Sequence, residues 1–120
     1  MLSPDVRRAV ESTSLAHLAT VLPDGAPHSV PLWVDTLGEQ IVFLTGPGSQ
    51  KARNLRRDPR VALSLTAPDN PYQPIILRGR VVKWIDGDEG WAIVDQIATK
   101  YTGQPYGRDQ ERVVAVIELN

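Results

Sequence analysis

Hydrophobic and polar positions change period several times along this chain, and each change predicts an element. Val6, Ala9, Val10 and Thr13 recur at three- and four-residue spacing behind Ser3 and Pro4, a capping hydroxyl followed by a ring already set at helical φ. A short amphipathic helix opens the chain. From Ser14 the period shortens to that of extended backbone. "LAHLATVL", "PDG" and "APHSVPLWVD" read as two strands around a turn, in which Pro23, Asp24 and Gly25 supply a fixed φ, side-chain hydrogen bonding and tolerance of positive φ. A polar turn at "TLGEQ" separates them from "IVFLT", a short apolar strand that runs into Gly46, Pro47 and Gly48 and stops there.

"SQKARNLRRD" then returns to helix-forming residues, with Ser49 as the cap, Ala52 and Leu55 as a thin apolar stripe and Pro59 as the stop. "RVALSLTA" predicts a fourth strand, "PDNPYQP" a proline-rich loop, and "IILRGRVVKWI" a long fifth strand in which Gly79 marks a bulge or a close approach. Asp88 and Glu89 open a third helix that places Trp91, Val94, Ile97, Ala98 and Tyr101 on one side and ends near Gly103. "GQPYGRDQ" follows as loop and "RVVAVIEL" as the last strand. Strands joined by turns favour a small antiparallel barrel over a doubly wound sheet. The expected architecture is mainly β: six antiparallel strands and three short helices, in one domain over residues 1–120.

Composition narrows the function. A charged fraction of 22% with 42% apolar residues is globular. The net charge of -1 removes any general attraction to nucleic acid or to an anionic membrane, so neither is expected as a partner. No cysteine is present, which excludes disulfides and thiolate chemistry and suits a reducing cytoplasm. The N-terminal stretch lacks a signal-peptide pattern, and no apolar run approaches the roughly twenty residues of a membrane span. A soluble cytoplasmic protein is expected.

The charge that exists is locally concentrated. Residues 51–60 carry five basic side chains and one acid. A strand that turns through glycines onto a helix start exposes unpaired backbone N–H groups and the positive end of a helix dipole, which together attract anions. Ser49 and Lys51 stand at that mouth. A cation in the first helical turn opposes the dipole at a cost of roughly 0.3–1 kcal/mol, and a bound phosphate would reverse the sign. Arg56 and Arg57 lie at the other end of the helix, where positive charge is favoured, and a solvated face explains them at least as well. The glycines match neither a Walker loop nor the dinucleotide fingerprint.

Other chemistry has little support. His17 and His28 lie in different strands with no carboxylate cluster between them, so no metal site is expected, and no nucleophile elbow singles out a serine. Trp91 belongs to a buried helical stripe. Trp33 differs, because Pro31 in "SVPLWVD" prevents full ladder pairing and leaves backbone free to face a flat ligand.

"LATVLPDGAPHSVPLWV" (residues 18–34), "GSQKARNLRRDPRVALSL" (48–65) and "LRGRVVKW" (77–84) together resemble the split β-barrel flavin-binding superfamily of pyridoxamine 5'-phosphate oxidase-like proteins, and within it the deazaflavin (coenzyme F420)-dependent oxidoreductases. The resemblance spans residues 15–119. It implies a cofactor phosphate at Thr45, Ser49, Gln50, Lys51 and Asn54, and a ring lying along Pro31, Leu32, Trp33 and Val34. It also implies a homodimer, with Tyr72 and Ile76 of the partner subunit beside the pocket. The activity it implies is hydride transfer from reduced coenzyme F420, or alternatively FMN chemistry, to a small unsaturated acceptor; a non-catalytic cofactor carrier is the other reading. The arginine-containing strand motif and C-terminal substrate residues of the vitamin B6 oxidases are not found in the sequence, so B6 oxidation is not expected. The carboxylates of the deazaflavin tail would give Arg53, Arg56, Arg57 or Arg60 a partner.

Overall fold

The computed structural model describes residues 1–120, and their elements follow the periodicities. They run α1 (Pro4–Glu11), β1 (Ala16–Val21), β2 (Pro27–Leu32), β3 (Val34–Leu37), β4 (Gln40–Thr45), α2 (Gln50–Arg57), β5 (Arg60–Ala67), β6 (Asn70–Ile85), α3 (Gly87–Thr102) and β7 (Val113–Leu119). Seven strands form one curled sheet in the order β2-β1-β5-β6-β7-β4-β3, every neighbouring pair antiparallel. The expected split barrel is present, with one strand more than the six expected. The extra strand arises at Trp33. Up to Leu32 the chain pairs with β1, and from Val34 it pairs with β4 at the opposite end of the sheet. Trp33 occupies the corner where one strand becomes two.

Burial patterns explain which sequences alternate. β5 shows one face to the core and the other outward, and "RVALSLTA" alternates accordingly. β4 and β7 are covered on both faces, so "IVFL" and "VVAVI" read as continuous apolar runs. The core divides in two about them. Leu18, Ile41, Phe43, Leu63 and Ile117 fill the inside of the curl together with Ala9 and Val10 of α1. Val42, Val114 and Val116 face the other way, onto Ile93, Val94 and Ile97 of α3. Ser3 caps α1 as expected, its Oγ accepting from the Val6 N–H at 3.2 Å, and Gly103 ends α3 in the left-handed conformation at φ 79°.

Two details differ from the sequence reading. The expected loop at "PDNPYQP" is mostly strand. Ala67 pairs with Asn70 in a tight hairpin and Thr66 with Pro74, so residues 71–73 bulge out and leave Tyr72 at 91% exposure. At Gly79 the reason for glycine is close approach: a Cβ there would lie 2.3 Å from the Glu118 carbonyl oxygen. The β6 bulge falls at Val82 instead. No helix is long and apolar enough to cross a membrane.

Candidate functional site

β4 delivers Thr45 to the turn that starts α2. The Ser49 N–H closes that turn on the Gly46 carbonyl at 3.1 Å, and Ser49 Oγ caps the helix by accepting from the Ala52 N–H at 3.2 Å. The same hydroxyl is 2.7 Å from Thr45 Oγ1, which ties strand end to helix start. The turn forms one wall of a cavity of about 600 Å³. Two of the arginines that looked like a free charge cluster hold this turn from behind. Arg53 donates to the Gly48 carbonyl at 2.8 Å and Arg56 to the Pro47 carbonyl at 2.9 Å. Arg56 also lies over the Trp84 ring at 4.8 Å.

Lys51 and Arg112 line the cavity. Burial, and then the neighbouring Arg112 charge, push the Lys51 ammonium below its ordinary pKa, with no carboxylate or hydrogen bond acting against them. Arg112 comes from the loop before β7. Pairing of Thr45 with Val113 carries it to the turn, where its Nη1 lies 3.6 Å from the position a Gly46 Cβ would take. Its partners are all neutral: the Tyr106 hydroxyl at 3.3 Å, the Glu111 carbonyl at 2.7 Å and Gln110 Oε1 at 3.0 Å. Two arginines elsewhere are instead paired with acids. Arg60 meets Asp58 at 2.7 Å and holds that carboxyl down to about 2, and Arg108 meets Asp95 at 2.7 Å.

A flat-walled cleft of about 240 Å³ adjoins the cavity, bounded by Pro31, Leu32, Trp33, Leu44 and Tyr106. Leu44 and Tyr106 belong to both spaces. The Trp33 ring is fixed from beneath, stacked on Tyr101 at 5.2 Å with planes 8° apart and meeting Tyr106 edge-on at 6.4 Å. Tyr101 is itself held, its hydroxyl donating to the Ser14 carbonyl at 2.8 Å and accepting from the Val34 N–H at 3.2 Å. The strand corner, two aromatic rings and two backbone contacts give the wall its shape.

Six of the ten expected cofactor residues therefore line these two adjoining spaces: Pro31, Leu32, Trp33, Thr45, Ser49 and Lys51. Four lie elsewhere. Val34 is 1% exposed and packs into the core beneath the wall. Asn54 is completely buried with both ends of its amide engaged, donating to Thr20 Oγ1 at 3.0 Å and accepting from Gln50 Nε2 at 2.8 Å. Gln50 turns toward Asn54 and Arg53 and away from the cavity. Tyr72, expected at the site from the partner subunit, stands in its own protomer on the β5–β6 bulge, outside both spaces. Arg112 and Tyr106 were missed. Both sit in what reads as featureless loop, and only the β4–β7 register brings them to the site.

A cavity of about 520 Å³ at the chain termini has a different character. Glu39 and Glu118 border it, and the nearby Arg7 is spent on Glu39 and Glu11. It offers no seat for an anion. No group of three or more His, Cys, Asp or Glu side chains comes together as a metal site.

Residues 2–119 match the pyridoxamine 5'-phosphate oxidase family. No curated protein matches significantly. Among solved structures, an F420 reductase is similar at 31% identity and TM-score 0.85, over 99% of this chain and 96% of that one. A conserved hypothetical protein, Rv2991 of Mycobacterium tuberculosis, is 29% identical at TM-score 0.80, over 100% of this chain and 81% of that one. A pyridoxamine 5'-phosphate oxidase-related, FMN-binding protein of Nostoc punctiforme shares the fold at 18% identity and TM-score 0.65, over 89% and 72% of the two chains.

Proposed function

The chain belongs to the pyridoxamine 5'-phosphate oxidase family, and on that premise we propose that it is an oxidoreductase that binds coenzyme F420 and reduces a small unsaturated organic acceptor, with FMN as the alternative cofactor. The observation that carries this reading is the joining of two unlike spaces. A cationic cavity at a helix start opens beside an aromatic-walled cleft, and a molecule with an anionic tail and a flat ring has both ends matched. Similarity to an F420 reductase along nearly the whole of both chains favours the deazaflavin over FMN.

Ser49, Thr45 and Lys51 would hold the phosphate, and Pro31, Leu32 and Trp33 would lie along the ring. When bound in its reduced form, the coenzyme supplies the hydride equivalent of the reaction. The protein orients the ring and excludes water from one of its faces, the Trp33–Tyr101 stack keeping that face flat. The reaction asks for no nucleophile from the protein, because the coenzyme carries the hydride chemistry.

The second subunit belongs to the same proposal. The outward face of β2, β1, β5 and β6 runs across Pro31, His17, Ser64 and Ile76 in one cross-strand row, with Ser29, Ala19, Ala62 and Arg78 in the next. Apart from His17 and Arg78 the residues in these rows are small or apolar, none carries a carboxylate, Ile76 is 63% exposed, and Pro31 joins the face to the ring cleft. A second copy seated there would cover this face and bring Tyr72 of the partner subunit toward the cleft. Light scattering should show a dimer at micromolar concentration, and a monomer would remove the shared pocket from the proposal.

Equilibrium titration of the purified protein with coenzyme F420 and FMN, side by side, tests the reading. Saturable binding of the deazaflavin is expected, and binding of neither would overturn it. Steady-state oxidation of the reduced cofactor with quinones, enones and tetrapyrroles then separates an enzyme from a carrier, which would bind tightly and never turn over.

A further inference from the structure

Arg112 is a basic side chain at the anion cavity that carries no signal in the local sequence. It comes from the loop after α3 and is carried by the β4–β7 register to the turn that begins α2. There its Nη1 lies against Gly46, at the ordinary contact distance of 3.6 Å from a Cβ that glycine lacks. Three neutral acceptors fix it: the Tyr106 hydroxyl, the Glu111 carbonyl and Gln110 Oε1. The guanidinium also lies 5.5 Å from the centre of the Tyr106 ring. An arginine held by neutral groups keeps its full charge unanswered, and a second cation, Lys51, lines the same cavity. Glu111 and Arg112 both border the space, yet no Glu111 carboxylate oxygen comes within ion-pair distance of Arg112 or Lys51: Glu111 meets Arg112 only through its backbone carbonyl.

Two unpaired cations in one half-buried cavity repel each other, and such an arrangement is stable only at a cost that an anion between them removes. We propose that Arg112 is a cofactor-binding residue, the second cation of the anion seat, and that with Lys51 it takes the phosphate ester of the cofactor from two sides. A guanidinium presents a planar fork of donors that suits two phosphate oxygens, whereas the Lys51 ammonium acts as a point charge. The division of labour is then geometric: the arginine orients the ester and the lysine neutralises it. Tyr106, which touches Arg112 on one side and Trp33 on the other, links the seat to the ring wall. This inference rests on the cofactor reading above.

Arg112→Ala and Arg112→Lys, each checked for an unchanged melting temperature, should be titrated with FMN and coenzyme F420 and with their phosphate-free counterparts, riboflavin and the ribityl deazaflavin. Arg112→Ala should weaken binding of whichever phosphate ester the wild type takes by about tenfold to a hundredfold, as for one lost charged hydrogen-bond pair. Binding of the phosphate-free counterpart should be unaffected, and Arg112→Lys should recover part of the loss. An Arg112→Ala variant that binds the wild type's cofactor undiminished would overturn the inference, and so would one that loses that cofactor and its phosphate-free counterpart equally, since the arginine would then act through packing. A wild type that binds neither cofactor would instead sink the cofactor reading, so the two failures are distinct.

Discussion

Two half-buried lysines, Lys51 and Lys100, show how one cost is met in two ways. Burial is the first cause that lowers the pKa of each. At Lys100 the protein supplies the compensation. Its Nζ donates to the Val10 carbonyl at 2.7 Å and to the Val34 carbonyl, lies 3.9 Å from Asp35 and sits over the Tyr101 ring at 4.5 Å. The charges of Asp35 and Glu11 pull its pKa back up. At Lys51 the second influence is the Arg112 charge, which pushes the same way as burial. A cation satisfied by carbonyls and a carboxylate is part of the architecture. One that shares a cavity with another cation finds no such compensation within the chain, which is what the proposed anion seat requires.

The largest effect expected from this contrast is on stability. Lys100→Met strands the Val10 and Val34 carbonyls, which join α1 and β3 to α3, and should lower unfolding stability by about 3 kcal/mol and the melting temperature by roughly 10 °C. Lys51→Met should leave the melting temperature unchanged or slightly raised, because it removes an uncompensated charge from a first helical turn. Thermal denaturation of the two variants checks both at once. Equal destabilisation would make Lys51 a structural residue and end the comparison.

Next comes affinity. Lys51→Ala should weaken the bound cofactor by about 1.5–3 kcal/mol without changing the fold, measured by the same titration that identifies the cofactor. That this residue could be singled out in the sequence follows from locality. Gly46, Gly48, Ser49 and Lys51 are neighbours in the chain, and a strand turning into a helix places them together whatever the rest of the fold does. Trp33 was legible for a similar reason, since Pro31 two residues earlier signals an interrupted ladder. Arg112 carried no local signal, because its position depends on the pairing of β4 with β7. Asn54 and Val34 show the converse situation. Both belong to segments that reach the site, yet each points into the protein: Asn54 is turned toward Thr20, and Val34 into the curl of the sheet. Proximity along the chain located the segments, and only packing decided which face of each was available.

A smaller effect separates the lysines by pH. The Lys51 pKa is lowered in the free protein, and a phosphate beside it raises the pKa in the complex, so binding favours the protonated form. The contribution of Lys51 to affinity is thus complete below the free-protein pKa and is lost as pH rises through the higher pKa of the complex. Cofactor affinity should fall on the alkaline side. In Lys51→Arg, whose guanidinium stays charged throughout, that part of the fall should vanish. An identical alkaline decline in both proteins would assign it to the cofactor ring and leave Lys51 without a titrating role.

The smallest effect concerns the arginines on the outside of α2, and it tests whether the seat is a defined place or a diffuse field. Arg57 donates to the Val21 carbonyl on β1 and does not border the cavity. Its replacement by alanine should change cofactor affinity by less than about 0.5 kcal/mol, as expected of a surface charge away from the ligand. Arg53 and Arg56 are a finer case, since they hold the Gly48 and Pro47 carbonyls and so support the turn without reaching the ligand. Arg56→Ala should cost more than Arg57→Ala and less than Lys51→Ala, and raising the salt concentration should not erase that order. If the three variants instead lose affinity equally, and salt abolishes the loss in all of them, the basic helix attracts anions through its summed charge, and the pairing of Lys51 with the cavity carries no special meaning.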